Sequence, residues 1–582
     1  MKRSIGRDVL RGIGVALSAT ALLLTACAPG PQTTGSGGSE TNASEATSQP
    51  KTLTIAAKRE LKNFARFTGA AAGGGSPGSG NGQIAKIGHN YLAVREGNGP
   101  YLPQLARELP SVDAGTWQVN ADGSMSTTWK LRNDVKWHDG TPFTAEDLVF
   151  GLRLFSDQDY PVPPTERVRQ MQSSSAPDPH TFVIHWSSPS PSGADPTDVD
   201  PMPRHLLEPL YRADKTSVLN SPLLTSEFVG LGPYRVAQWT EGVSVEFARF
   251  DNYFLGKPRF DRVTVKYVGD SNTMLANILA GSVDVVLAPS IEHDTAAELT
   301  QRWQGTGNQV IISLSGSQQF LRPQFRPELA HPRNGSPILS VRRALNHAID
   351  RQAVAQASSN GLAPAADSWV APDEALRAQL ESAIPQYPLD LTRAQQLLTE
   401  AGWVRGGDGV LVDQATGERF ESRIAARPAT GSDRVLAVIA DGWKALGVQM
   451  TLDVLSPAQA ADRRTMGTQP FALLSSFPGS PATLPPMHSS LLASDANRWT
   501  GTNFQGYSNP RVDALLDQIA TAIDVRDQVT FHRQLLQEAM GDVALMPLTW
   551  EVEPVLIAKG VTGVTMNNTY NIFDWDKQGG AR

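Results

Sequence analysis

Strand-like and helix-like segments alternate irregularly along this chain of 582 residues, without a fixed repeat. Short runs rich in apolar and β-branched residues, such as 181–186, 263–268 and 310–314, predict strands. Apolar residues that recur every three or four positions predict helices at 341–349, 391–401 and 510–523, and Ser340 is predicted to cap the first of these. A chain of this length is also too long for one compact core. The pattern therefore predicts an α/β protein of two or three lobes, with a cleft between lobes.

The amino terminus carries the features of an export signal. Basic residues precede an apolar run at 13–24, and small residues follow it. The run is shorter than the roughly twenty residues that a membrane-spanning helix needs. It leads to Cys27, the sole cysteine of the chain, so no internal disulfide is possible. Residues 24–27 resemble the lipobox of bacterial lipoproteins, which implies cleavage before Cys27 and lipid attachment to it. An ordinary secretory signal with a chance cysteine is the alternative.

Composition sets further limits on the exported part of the chain. Residues 28–50 are almost entirely small or polar, which predicts a flexible tether before a first strand that begins near residue 51. The chain has 51 basic and 58 acidic residues and no basic block beyond the signal, so nucleic acid is not an expected partner. No phosphate-binding loop and no His-Glu-x-x-His zinc helix occurs in the sequence, so a hydrolase is the least favoured class.

Several separated blocks carry a family resemblance. The first runs from a strand through an Asp139-Gly140 turn into a helix that Thr144 is predicted to cap. The blocks lie at 128–148, 230–239, 250–258, 272–286, 341–351 and 503–516. They resemble the family 5 extracellular solute-binding proteins, which are the oligopeptide, dipeptide and nickel receptors of ABC importers. Most residues in these blocks are expected to form turns, helix caps and core.

The resemblance implies a two-lobed periplasmic-binding-protein type II fold with a subdomain appended to the first lobe. By analogy the signal and lipobox take residues 1–27 and the tether takes 28–50. The remaining expected boundaries are lobe I at 51–90, 229–315 and 546–582, its subdomain at 91–228, and lobe II at 316–545. Hinge closure of the lobes around a ligand is the expected movement.

The function that the resemblance implies is capture without chemistry. A lipid-anchored monomer outside the cytoplasmic membrane or in the periplasm would bind a peptide or peptide-like solute. It would deliver the solute to a membrane permease that a separate ATPase powers, and it would need no cofactor. Two alternatives stay open: a lipoprotein of the same fold that acts in sensing or envelope regulation, and a receptor for a non-peptide solute such as a saccharide.

The expected cleft lies where the chain passes between lobes, near 317–323 and 545–550. Side chains there suit a mostly apolar pocket with a few orienting polar groups. Residues 503–507 match a segment that opens onto the cleft in relatives. The candidate ligand-binding residues are Gln319, Phe320, Leu321, Ser476, Phe477, Asn503, Phe504, Tyr507 and Trp550.

One departure from the family pattern bears on the ligand. Peptide-binding relatives tend to carry a Trp and an Asp in the segment that corresponds to 471–485, and the carboxylate pairs with the ligand's α-ammonium. This chain has Ser476 and Phe477 there, and no Asp, Glu, Lys or Arg occurs from Thr465 to Ser494. Because a buried ammonium without a counter-charge is costly, a free peptide amino terminus is disfavoured at that place. Asp495 is a candidate for a displaced partner of the ammonium, and an exposed loop carboxylate is the simpler interpretation of it.

A metal ligand is not expected either. The ten histidines show no paired spacing typical of a metal site, and the sole thiol would carry lipid.

Overall fold

The structure is a computed structural model that describes residues 50–65, 80–95, 97, 99–159, 164–478, 486–566 and 568–578. The predictions for the signal, for Cys27 and for nearly all of the tether lie outside these residues. Among the helices in the described ranges, none combines the length and the apolar character that crossing a membrane requires.

Strands account for much of the described chain. They are β1 (Thr52–Ala57), β2 (Ala93–Arg95), β3 (Tyr101–Pro103), β4 (Trp117–Val119), β5 (Met125–Lys130), β6 (Met171–Asp178), β7 (Thr181–Trp186), β8 (Tyr234–Thr240), β9 (Ser244–Arg249), β10 (Arg262–Tyr267), β11 (Val285–Val286), β12 (Gln309–Pro323), β13 (Trp403–Arg405), β14 (Leu411–Asp413), β15 (Glu421–Ala426), β16 (Gln449–Val454), β17 (Ala472–Pro478), β18 (Met546–Ile557), β19 (Val561–Thr562) and β20 (Asp576–Lys577).

Helices lie between many of these strands. They are α1 (Gly80–Gly88), α2 (Ala145–Ser156), α3 (Glu166–Gln170), α4 (Arg204–Ala213), α5 (Lys215–Leu219), α6 (Ser271–Leu279), α7 (His293–Arg302), α8 (Leu339–His347), α9 (Arg351–Ser359), α10 (Arg377–Leu380), α11 (Leu391–Glu400), α12 (Ser432–Ala445), α13 (Pro457–Ala461), α14 (Arg463–Gly467), α15 (Pro510–Thr521) and α16 (Val525–Leu535).

One ten-stranded sheet runs through the molecule in the order β16-β15-β17-β12-β18-β11-β1-β10-β9-β8. Its two central strands, β12 and β18, are antiparallel and pair from Gln309 with Ile557 to Leu321 with Met546. A separate four-stranded antiparallel sheet, β4-β5-β7-β6, lies within the stretch predicted as a subdomain. The mixed sheet with helices on it confirms the predicted α/β class, whereas the lobe boundaries stay a prediction.

Separate cores cover the two faces of this sheet. In the half that contains β17, Leu321 packs with residues of α8, α11 and α12, while the adjacent Phe320 packs with residues of α15 and α16. In the half that contains β1, Ile55 packs with residues of α1, while the adjacent Ala56 packs with residues of α6 and α7. Alternation along each strand therefore places neighbouring residues in different cores.

The helix starts test the capping predictions. Thr144 is the N-cap of α2, and it forms a capping box with Asp147, as the sequence predicts. The prediction that Ser340 caps the next predicted helix is wrong, because α8 begins at Leu339 after Ile338, whose side chain makes no cap bond. Capping by a side-chain hydroxyl is therefore absent at this helix, whose Arg342 and Arg343 instead donate to the carbonyls of Asp542 and Gly541.

Candidate functional site

The directions of the strands define a crevice at the middle of the large sheet. In one half β1 is parallel to β10 and β11, and in the other half β15 is parallel to β16 and β17. Because β11 is antiparallel to β18 and β17 is antiparallel to β12, the carboxyl ends of the two groups point towards each other. Ligands of open α/β sheets bind outside the carboxyl ends of the strands. We call the region between these opposed ends the crevice.

The two crossing strands are irregular at the crevice. The ladder between β12 and β18 shifts register between Leu314 and Gln318, and Gly316 in this gap has a φ of 77°. A glycine allows this conformation because it has no side chain to clash. Strand β17 ends at Pro478, which pairs with Ser317 just beyond the gap. The predicted crossing segments 317–323 and 545–550 thus lie on the β17 side of the break.

A polar cluster occupies one face of the crossing strands at this break. Gln319 pairs in register with Ser476 of β17 and with Thr549 of β18. The carboxyl group of Glu551, on the same face as Thr549, is close enough to the side chains of Ser476 and Gln319 for both of them to lower its pKa. Ser358 of α9 donates to Gln319 Oε1 at 3.4 Å. We call Gln319, Ser476 and Glu551 the crevice cluster.

Burial governs the titration of Glu551. Desolvation raises the pKa of its carboxyl group, while hydrogen bonds from Ser476 and Gln319 and the nearby His293 ring lower it by smaller amounts. The Glu551 side chain is half-buried, whereas Ser476 is exposed. The cluster therefore combines a partly desolvated acid with an opening to solvent on the Ser476 side.

Two helix starts face each other beside the cluster. His293, the first residue of α7, has its ring Nε2 3.1 Å from the carbonyl oxygen of Val552. The next residue, Asp294, lies 3.2 Å from Nη1 of Arg434, the third residue of α12. This exposed ion pair joins the half that contains β11 to the half that contains β17.

The other face of the crossing strands is apolar. Gln318 pairs in register with Phe477 and with Trp550. Trp550 is buried at 1% exposure against Ala366 and Ala371, and the half-buried Phe477 ring lies 6.4 Å from that of Phe320 in an edge-to-face arrangement. Gln318 is fully buried, and neither its amide nitrogen nor its amide oxygen has a hydrogen-bond partner in the described part of the chain.

The remaining candidates lie deeper in the half that contains β17. Phe320 and Leu321 are fully buried in its two cores. Asn503 donates to the carbonyl oxygen of Tyr507 at 2.8 Å, and Tyr507 donates to Asp542 at 2.8 Å. Burial, together with the Asp542 carboxylate, raises the pKa of the Tyr507 hydroxyl.

Phe504 lies apart from the other predicted aromatic residues. It is half-buried, with the Arg463 guanidinium 5.4 Å from its ring centre, and it packs on a small core that contains Leu473. Together with the buried side chains above, this leaves Gln319, Ser476, Phe477 and Trp550 as the predicted residues at the break between the crossing strands. Ligand contact by all nine candidates stays a prediction.

Arg322 is a half-buried cation that nothing in the sequence marks as a site residue. Desolvation and, to a smaller extent, Arg427 lower the pKa of its guanidinium to about 10. It donates to the carbonyl oxygen of Thr502 at 3.2 Å and lies 5.1 Å from the Phe320 ring centre. A small cavity lined by Arg322, Asn503 and Tyr507 adjoins it.

Glu551, Gln318 and His293 were also missed from the sequence. The two acids Glu551 and Glu553 inside the mostly apolar stretch Met546–Ile557 were a signal for Glu551, whereas nothing in the sequence marks Gln318 as unpartnered. Asp495 is exposed, accepts from Trp499 Nε1 at 2.8 Å and lies 3.8 Å from Arg464, as expected for a loop residue. Among the residues that the structure describes, no cluster of three or more His, Cys, Asp or Glu side chains is arranged to hold a metal.

Known proteins share this fold. The structure is similar to NikZ from Campylobacter jejuni in complex with Ni(L-His), with a TM-score of 0.64 and 21% identity. The match covers 90% of this chain and 99% of NikZ. The structure is also similar to NikA from Brucella suis in complex with Fe(III)-EDTA, with a TM-score of 0.68 and 19% identity. That match covers 90% of this chain and 100% of NikA. These likenesses confirm the predicted two-lobed periplasmic-binding-protein type II fold.

Comparison of the amino-acid sequence with known proteins identifies the family. It is similar to the oligopeptide-binding protein AppA of Bacillus subtilis (strain 168), with 22% identity over 473 residues, which are 78% of this chain and 81% of AppA. Residues 103–498 match the bacterial extracellular solute-binding proteins, family 5 middle. The chain therefore belongs to family 5 of the bacterial extracellular solute-binding proteins, which is a family of substrate-binding proteins and not of enzymes.

Proposed function

We propose that this chain is the substrate-binding lipoprotein of an ABC importer, which captures a peptide or peptide-like solute in the crevice and delivers it to a membrane permease. The observation that carries the proposal is the pair of opposed carboxyl ends, where β12 and β18 join the two halves. A solute at that place touches both halves, so it stabilises the closed arrangement by its differential affinity.

The chemistry at the break fits a small organic solute. The crevice cluster offers hydrogen-bond donors and acceptors on the face that opens to solvent at Ser476. A small number of polar groups that fix the orientation of the ligand is typical of small-molecule sites. AppA is named for oligopeptide binding, which supports a peptide-like solute here.

Anchoring at Cys27 completes the proposal. A cleaved signal would leave Cys27 as a lipidated amino terminus, which holds the protein at the outer face of the cytoplasmic membrane or in the periplasm beside its permease. Residues 28–50 would let the folded part reach the permease. Replacing Cys27 by Ser should release the protein from the membrane fraction of its own host, and unchanged fractionation would contradict the anchor.

Native mass spectrometry of the mature, untagged protein tests the capture directly. We expect a bound species whose mass and fragment ladder identify amino-acid residues. Sugar increments would favour the saccharide alternative, and an empty protein that also retains no peptide from a casein digest would contradict the proposal. Cells that lack the chain should lose uptake of the identified solute, whereas unchanged uptake would favour sensing or envelope regulation.

A further inference from the structure

Glu551 is an acid in the crevice for which the described chain supplies no basic partner. The polar side chains of Ser476 and Gln319 lie beside its carboxyl group on the same face of the sheet, and both are uncharged. No Lys or Arg in the part of the chain that the structure describes lies within ion-pair distance of it. His293 is the titratable neighbour that acts on it through charge. A desolvated carboxylate in this position is stabilised when a cation reaches it.

Two other half-buried acids of this chain show the contrast. Asp367 is paired with Arg377 at 2.7 Å, and Glu246 lies 3.5 Å from Arg262. In those places the fold itself supplies the positive charge. At Glu551 it supplies a hydroxyl group and an amide, which leave the negative charge uncompensated.

The position of Glu551 makes it reachable from the crevice. It follows Trp550, where the β12–β18 ladder shifts register, and it contacts β17 through Ser476 and β12 through Gln319. Ser476 is exposed, so a solute that enters between the two halves can reach the cluster. The Ser476 hydroxyl can donate to the carboxylate and still accept from a solute N–H.

We infer that Glu551 binds a protonated amine of the solute, so that the crevice selects solutes that carry such a group. This inference rests on the proposed function, because it requires that the crevice is the binding site. It also revises the expectation that the solute is uncharged near β17: the counter-charge comes from the crossing strand β18. An ammonium group would donate to the Glu551 carboxylate and to the Ser476 oxygen.

The test uses casein peptides from a glutamyl-endopeptidase digest, before and after acetylation of all their amino groups. The mature wild-type protein is freed of solute, incubated with each digest and washed, and the retained peptides are identified by mass spectrometry. Wild type should retain peptides from the untreated digest and reject their acetylated forms. Glu551→Gln should bind the retained peptides more weakly, by on the order of 30-fold or more.

Two further variants separate charge from folding. Glu246→Gln makes the same change on β9, away from the crevice, and should bind as wild type does. Glu551→Asp keeps the negative charge and should keep the preference for free amines. It therefore tests the role of the charge in a second variant if Glu551→Gln folds poorly. Thermal unfolding of each empty protein identifies variants that fail to fold.

The outcomes distinguish this inference from the function on which it rests. Equal retention of both digests by wild type, or unchanged binding by Glu551→Gln, overturns the role of Glu551 and leaves solute capture intact. If the wild type retains neither digest, the solute that copurifies with it distinguishes the two proposals. A copurified solute without an amine overturns the role of Glu551 alone. A copurified solute with an amine should be absent from purified Glu551→Gln, and its presence there overturns the role of Glu551. A protein with no solute and no retained peptide overturns both.

Discussion

The two faces of the crossing strands differ in what completes them. On the apolar face, Trp550 is enclosed by Ala366 and Ala371, and Phe477 packs towards Phe320, so the fold supplies its own partners. On the polar face, the crevice cluster has hydrogen bonds but no basic residue to compensate Glu551. Packing on the first face should govern stability, and the second face should govern which solute is bound.

Trp550→Ala should give the largest loss of stability. The indole is almost fully buried, so its removal leaves a cavity and should lower the free energy of unfolding by about 3 to 5 kcal/mol. Denaturant unfolding of the empty protein measures this value. Ser476→Ala on the polar face is the matched comparison, and a similar loss there would remove the distinction between the faces.

Phe477→Ala should have an intermediate effect. The ring is half-buried, so we expect a loss of about 1 to 2 kcal/mol in the free energy of unfolding, well below that of Trp550→Ala. The same unfolding measurement applies. An unchanged stability would mean that Phe477 contributes nothing to the core and acts solely at the solute site.

Gln318→Leu should stabilise the empty protein. The amide is fully buried and both of its polar atoms lack partners in the described structure, so an apolar side chain of similar size avoids their desolvation cost. We expect a gain of about 1 kcal/mol in the free energy of unfolding. A loss of stability would show that the amide has a partner in solution, and a loss of solute affinity would add Gln318 to the site.

Replacing Glu551 by Gln should have the smallest effect on stability, and this effect should depend on pH. Burial raises the pKa of its carboxyl group, so the folded protein keeps a proton that the unfolded chain has already lost. The free energy of unfolding of the empty protein should therefore fall as the pH rises from about 4.3 through the raised pKa. Glu551→Gln lacks this contribution, so its stability relative to wild type should rise over the same pH window. A pH-independent difference would contradict the assignment.

Local sequence patterns predict the elements well where one interaction decides them. Strand β7 matches its predicted range at 181–186, and the capping box of Thr144 and Asp147 starts α2. The start of α8 is missed because no side-chain cap marks it: the helix begins after Ile338, whose side chain makes no cap bond. Strand β12 extends far beyond the predicted 310–314, since its second half is set by pairing with β17 and β18.

The candidate site also divides into features that the sequence predicts and features that depend on strand pairing. Its general location follows from the resemblance, which implies crossing segments near 317–323 and 545–550. Which face each residue occupies depends on the register of three strands and on the irregularity after Leu314. A one-residue shift exchanges the two faces, so Glu551 and Gln318 could not be assigned from the sequence.

A crystal structure of the mature protein grown with the solute that copurifies with it tests the central claim most directly. We expect electron density for the solute between the opposed carboxyl ends of the β11 and β17 strand groups, with an amine of the solute within hydrogen-bond distance of the Glu551 carboxylate. Solute bound elsewhere, or halves that meet at Gln319 and Ser476 without space for a solute, would contradict it.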